Sequence, residues 1–257
     1  MMILAYHEVV PKPQSYRYAV TLTSLDRHLE LVARVQPVTH CLISSQTVTF
    51  DDGHVSNFRF AVPLLAKYKM SALFFVIGNF VGNRSDYMTW GQVKELVSLG
   101  HEVQSHGWSH VPLTQCTDTK LEEELLRSRE TLEDKLGIRI DAVSVPHGRW
   151  NRRVLEGCAV SGYRRVFSSD PWLRPHERNG VILTGRLVVD QSLADEQLKL
   201  LLQENPRAVR YLQFESLGKH AMRQILGDRL YHQLWCRLSG WKGPVDLRED
   251  GGSSQTR

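Results

Sequence analysis

The sequence predicts an α/β fold built on a parallel sheet or barrel, and three observations predict it. Strand-like and helix-like segments alternate along most of the chain, the pattern of successive β–α units. One segment, "SALFFVIG" (71–78), is an unbroken apolar run, as expected of a parallel strand covered on both faces. Residues able to do chemistry recur just after strand segments, the end at which folds of this kind place their sites.

Each element has its own signal. Residues 2–7 read as a strand, and Pro11 and Pro13 then break the chain into a loop. Ser24 is a candidate N-cap for a helix with the apolar stripe Leu25, Leu29, Val32 and Val35. "QTVTFDDG" (46–53) is a β-branched strand that stops at two acids and a glycine. "FAVPLLAKY" reads as helix, with Pro63 tolerable in the first turn. After the 71–78 strand, Thr89 starts a helix that Gly100 ends. "HEVQSH" (101–106) is again a strand. Asp118 opens a helix with Leu121, Leu125, Leu132 and Leu136 on one side and Gly137 just past its end. "AVSVP" (142–146), "RRVFSS" (164–169) and "ILTGRLVV" (182–189) are the later strands.

Composition excludes several classes. With 257 residues and 42% hydrophobic content, the chain can bury a substantial core. A formal charge of +4, spread along the chain, is too mild to announce a nucleic-acid protein. No segment approaches the roughly 18 apolar residues of a membrane span. Glu8 interrupts the first apolar run, so the start does not read as a secretion signal, and a cytoplasmic location is expected. Cys41, Cys116, Cys158 and Cys236 form no CxxC pair, which argues against a zinc knuckle or a disulfide framework.

Five strand ends carry the candidate site: His7, the Asp51–Asp52 pair, His106, Pro146 with His147, and Asp170. Asp52, His106 and His110 are ligand types that suit Zn²⁺ or a similar divalent ion, Co²⁺ or Ni²⁺ included. "SHGWSH" sets two imidazoles four apart, on one side if the segment forms a helical turn. Two adjacent carboxylates at the end of an apolar strand repel each other unless a cation or donor compensates. Three protein ligands leave a coordination position for water, the catalytic arrangement. Asp51, beside the ion without binding it, then suits a general base. The bland alternative is a "DDG" turn and two solvated histidines.

"TFDDG" followed about fifty residues later by "GHEVQSHGWSH", with "SALFFVIG" between them, resembles the NodB-like polysaccharide deacetylases of carbohydrate esterase family 4. The resemblance covers roughly residues 2–190. It implies a distorted parallel (β/α) barrel and metal-dependent removal of an N-acetyl group from an amino sugar. It places the family's base on Asp51, its metal carboxylate on Asp52 and its metal histidines on His106 and His110. In the family's third motif, Pro146 and Gly148 of "SVPHG" match. His147 stands at the aromatic position and Ser144 where an arginine normally tethers the base. The expectation is therefore an Asp51 without that tether. "SSDPW" offers Asp170 and Trp172 for the fourth motif, which walls the acetyl pocket, although its spacing is unusual. The fifth motif supplies a histidine that protonates the leaving amine, and the late strand "ILTGRLVV" has none. In a closed barrel the first and last strands are neighbours, so "ILAYH" can serve as that strand. This permuted order resembles exopolysaccharide deacetylases and makes His7 the expected general acid, with His147 and His54 as lesser candidates.

The expected organisation is a barrel over 1–204 and a basic helical extension with a disordered tail over 205–257. Arg207, Arg210, Lys219, Arg223, Arg229, Arg237 and Lys242 outnumber acids there, and Met222, Leu226, Leu230 and Leu234 recur at helical spacing. Such a helix packs on the barrel or rests on anionic lipid at the inner face of the membrane; "REDGGSSQTR" closes the tail. The expected substrate is an N-acetylated saccharide or glycolipid, with no nucleic-acid partner. The competing readings are a deformylase of a lipid-linked amino sugar and a non-catalytic, metal-retaining saccharide-binding barrel.

Overall fold

A computed structural model describes residues 2–35, 47–171 and 174–239. Trp172, Cys41, Lys242 and the 248–257 tail lie outside the described residues.

The first strand, β1 (Leu4–Tyr6), ends one residue before His7, and β2 (Glu8–Val10) turns away to pair with β3 (Ala19–Thr21). Helix α1 (Leu22–Val35) starts before the expected Ser24. The cap is Thr21, whose Oγ1 accepts from Ser24 N at 3.1 Å; Ser24 is the third residue beyond the cap, where the N–H needs a partner. Then come β4 (Val48–Phe50), α2 (Val62–Lys67), β5 (Leu73–Val76), α3 (Trp90–Ser98), β6 (Glu102–Ser105) and α4 (Asp118–Leu136). Thr89 and Gln92 form a reciprocal capping box at the start of α3. Thr117 caps α4, and Gly137 ends it at φ +65°. Next are β7 (Ala142–Ser144), α5 (Arg152–Val160), β8 (Arg165–Ser168), β9 (His176–Arg178), β10 (Val181–Gly185), β11 (Leu187–Val188), α6 (Asp195–Leu202) and α7 (Pro206–Ser239).

Nine strands form one mostly parallel sheet in the order β11-β1-β4-β5-β6-β7-β8-β10-β9, with only β9 antiparallel. This is the α/β class expected, although the strand order is not that of a regular closed barrel. Its two flanks are joined by one stretch of chain. β10 pairs with β8, and β11, which follows after Arg186 alone, pairs with β1 (Leu4 opposite Leu187). The first and last strands are therefore neighbours.

The central strands of the sheet are buried on both faces. Leu73, Phe75, Ala142 and Phe167 pack together on one side, with Ile3 against them. Phe74 and Val76 of the same strand join the main core, with Leu4, Leu25, Leu29, Leu121, Leu125 and Leu132. The period-2 alternation of β5 thus feeds two apolar clusters, and its sequence is continuously hydrophobic.

Candidate active site

The end of β4 carries two carboxylates that point to different partners. Asp51 is buried, its N–H donating to Tyr6 O at 2.8 Å. Asp52 sits at φ +71°, a left-handed backbone that Asp tolerates better than most residues. That twist aims Asp52 Oδ1 at two imidazoles, with His106 Nε2 and His110 Nε2 each 3.3 Å away. These three form the candidate metal cluster found among the described residues.

The donors fit an ion. His106 Nδ1 lies 2.8 Å from Ser144 O; a carbonyl only accepts, so Nδ1 carries the hydrogen and Nε2 presents a lone pair. That lone pair faces Asp52 Oδ1, a buried oxygen without a hydrogen bond. Two acceptors in this position call for a cation or a proton between them. Ligands about 2.0–2.1 Å from a tetrahedral zinc lie roughly 3.3 Å apart, which is the spacing found here. Burial pushes the His106 imidazole down, but the charges of Asp51 and Asp52 outweigh it and hold it above the usual histidine range. Burial pushes the Asp52 carboxyl up, but the neighbouring His110 and His106 imidazoles outweigh it and hold it well below the usual carboxylate range.

The expected helical turn over 106–110 does not form. Gly107 (φ +76°) and His110 (φ +64°) bend the segment the other way. Its N–H groups go to side chains: Gly107 N to Ser105 Oγ at 3.1 Å, and Trp108 N and Ser109 N to Glu124 Oε2 at 3.1 and 2.8 Å. Side-chain acceptors replace the i→i−4 ladder, and the two imidazoles still converge.

Asp51 has a tether that reading the motifs in order missed. Arg186, 1% exposed, grips it with both nitrogens, Nη1–Oδ1 at 2.7 Å and Nη2–Oδ2 at 2.8 Å. Arg186 also donates to Thr49 Oγ1 at 2.8 Å and Ser144 Oγ at 2.6 Å, and Ser144 Oγ lies 3.1 Å from Asp51 Oδ2. The expectation of an untethered base is thereby corrected: Ser144 joins an arginine supplied from the break between β10 and β11. The signal was a lone charge inside "ILTGRLVV", where an unpaired guanidinium would be costly. Burial pushes Asp51 up, but the Arg186 charge outweighs it and holds the carboxyl at about 2.

His7, at the end of β1, feels the charges of Asp52, Asp51, His106 and Arg186. Its ring lies 5.3 Å from that of Tyr18, and its buried Nδ1 has no hydrogen-bond partner. Burial favours its neutral form while the two aspartates favour the cation, and the net shift is downward. His147, at φ +59° in the turn Pro146–Gly148, has its ring 4.7 Å from that of His110, tilted by 51°. Gly148 (φ +66°) could not carry a Cβ, which would fall 2.2 Å from Ser169 Oγ. Asp170 accepts from Trp150 Nε1 at 2.8 Å and Ser168 Oγ at 3.2 Å, at the end of β8. His54 hydrogen-bonds with Ser56 through Nδ1 and faces the Tyr87 ring.

Residues 44–166 match the family model described as polysaccharide deacetylase. Over that stretch, just under half of its length, the chain is similar to the polysaccharide deacetylases. Among relatives, YxkH of Bacillus subtilis is 30% identical over 59% of this chain and 52% of its own. The chitooligosaccharide deacetylase of Bradyrhizobium is 30% identical over 50% of this chain and 58% of its own. The peptidoglycan-N-acetylglucosamine deacetylase PgdA of Listeria monocytogenes is 26% identical over 69% of this chain and 37% of its own. The chain thus spans about half or less of these relatives' length. Among solved structures, IcaB from Ammonifex degensii is 26% identical with a TM-score of 0.66, covering 79% of this chain and 95% of that one.

Proposed function

We propose that this protein is a deacetylase of that family, a metal-dependent hydrolase that removes N-acetyl groups from an amino sugar. The observation that carries the reading is the pairing of two corners: Asp52, His106 and His110 converging on one point, and Asp51 held beside them, within 4.0 Å of His106 Nε2, by Arg186. Relatives named for chitooligosaccharide and for peptidoglycan N-acetylglucosamine support an N-acetylglucosamine-type saccharide as the substrate class.

Asp52, His106 and His110 would hold the ion, most suitably zinc, with cobalt or nickel as substitutes. When bound, such an ion polarises an amide carbonyl and acidifies a water molecule. Asp51 is ionised at any working pH and accepts the proton of the attacking water. Arg186 and Ser144 fix the direction of its lone pairs. His7 donates a proton to the departing nitrogen, since an amine leaves poorly unprotonated. Pro146, His147 and Gly148 form one wall of the pocket and bind the sugar; Asp170, at the end of β8, is the proposed continuation of that wall. The tether on Asp51 removes the main support for a non-catalytic barrel.

The test is release of acetate and formate from a panel of acetylated and formylated oligosaccharides and lipid-linked amino sugars, using metal-loaded protein. Acetate release that Asp52→Ala abolishes supports the reading. Formate alone would transfer it to a deformylase, and no release of either would sink it.

A membrane contact is proposed through α7. Among its described side chains, Phe214 and Ile225 are 79% and 82% exposed, and the sequence of 206–239 is rich in Arg and Lys. No helix among the described residues is long and apolar enough to cross a membrane. Surface binding should therefore depend on anionic lipid. Co-sedimentation of the full chain with anionic but not neutral vesicles, lost on truncation after Asn205, is the expected result; equal partition of both chains would refute it.

A further inference from the structure

The two metal histidines are four residues apart on a segment that is not a helix, and something must hold it in shape. The carboxylate of Glu124, on α4, lies beneath that segment with no exposure to solvent. Its Oε2 accepts from Trp108 N and Ser109 N, and its Oε1 accepts from Ser109 Oγ at 2.6 Å. Lys120 Nζ, one turn back on α4, lies 3.4 Å from Oε1. One turn on, Ser128 Oγ meets Ser105 Oγ at 2.8 Å, and Ser105 in turn takes Gly107 N. Successive N–H groups of a left-handed bend form a concavity that accepts an anion, and here a buried carboxylate of the same chain fills it.

The geometry dictates what this does. His110 is held at φ +64°, a backbone that a non-glycine residue keeps only when its surroundings enforce it. Hydrogen bonds to a charged acceptor are shorter and stronger than neutral ones, and Glu124 supplies three to the segment between the ligands. Lose them, and the 107–109 backbone can relax toward the helical turn that its spacing otherwise favours, carrying His110 away from Asp52.

We propose that Glu124 is a positioning residue that presets the 107–109 backbone, so that His106 and His110 already face Asp52 before an ion binds. The inference rests on the metal reading above and goes beyond it, because Glu124 touches neither ion nor substrate.

The test is cobalt binding to the metal-stripped full chain, read by competition affinity and by the visible absorption of the bound ion, for wild type, Glu124→Gln, Glu124→Ala and Leu132→Ala. Leu132 is a buried residue of the same helix, in the core, and controls for simple loss of stability. Glu124→Ala is expected to weaken cobalt binding by roughly 10–100-fold and to alter the absorption band. Glu124→Gln should lie between, since its amide oxygen can still accept the two N–H groups while Ser109 Oγ turns to accept from its NH₂. It also serves if the alanine variant does not fold. Leu132→Ala should melt earlier with unchanged affinity and band. Wild-type affinity and band in both Glu124 variants would overturn the proposal. A wild-type chain that takes no cobalt would instead refute the metal reading itself, and this inference with it.

Discussion

Asp51 and Asp52 are adjacent in sequence, equally acidic by nature and opposite in surroundings. Both Asp51 oxygens are engaged, by Arg186 and by Ser144. Asp52 Oδ1 takes no hydrogen bond and faces two imidazole nitrogens at 3.3 Å. A fully bonded carboxylate is fixed in direction but has little appetite for an ion. A buried oxygen without a hydrogen bond, between nitrogen donors, has every reason to bind one. The difference comes from a half-turn of backbone: Asp51 ends the strand, and Asp52 enters the left-handed region at φ +71°. In the proposed function, two identical side chains are thereby divided between holding a metal and moving a proton.

That division can be broken from either side. The largest effect is expected at Asp52: Asp52→Ala should lose metal binding and activity together, whereas Asp51→Asn should keep the metal and lose turnover by roughly 10²–10⁴-fold. If the asparagine variant released the metal, the two roles would not be separate. His7→Gln should also keep the metal while lowering kcat by roughly 10²–10⁴-fold and erasing the alkaline limb of the pH–rate profile, measured on metal-loaded protein. Next comes Arg186→Met, which leaves Asp51 buried and uncompensated; a loss of about 3–5 kcal/mol is expected, readable by urea unfolding.

Two smaller effects sharpen the comparison through pH. The folded Asp51 carboxyl lies at about 2, below the roughly 3.9 of an unfolded chain. Its contribution, roughly 2–3 kcal/mol, is therefore present above pH ~4 and lost as pH falls toward 2. Arg186→Met should remove this acid dependence, because burial alone pushes the carboxyl the other way. His106 is shifted upward by both carboxylates, so protons compete with the metal. Zinc affinity should rise with pH through the neutral range, and a flat profile by calorimetry would contradict the ligand assignment.

The α/β class was legible because it depends on local periodicity. Within "SALFFVIG" the strand residues Leu73–Val76 are apolar at every position since both faces of β5 are covered, and the helices betray themselves by stripes and caps. Asp52, His106 and His110 were legible as a candidate ligand set because their chemistry is readable without coordinates, and the fold brings them together. The segment joining the two histidines was misread, since four-residue spacing suits a helical turn only if the N–H groups have no better acceptor. Glu124 is that acceptor, and nothing local in "HGWSH" reveals a carboxylate from the next helix.

Arg186 marks the same boundary between sequence and structure. As a sequence, "ILTGRLVV" is a strand with an awkward charge, and "SVPHG" is a motif missing its arginine. Only the folding of β10 and β11 back along the sheet, with β11 against β1, shows that the awkward charge replaces the missing one. The sequence by itself determined which chemical groups the chain owns and which segments are strands. The tertiary structure decided which group meets which: bonds such as Arg186–Asp51, spanning 135 positions, are set by strand order and twist, which no local pattern encodes.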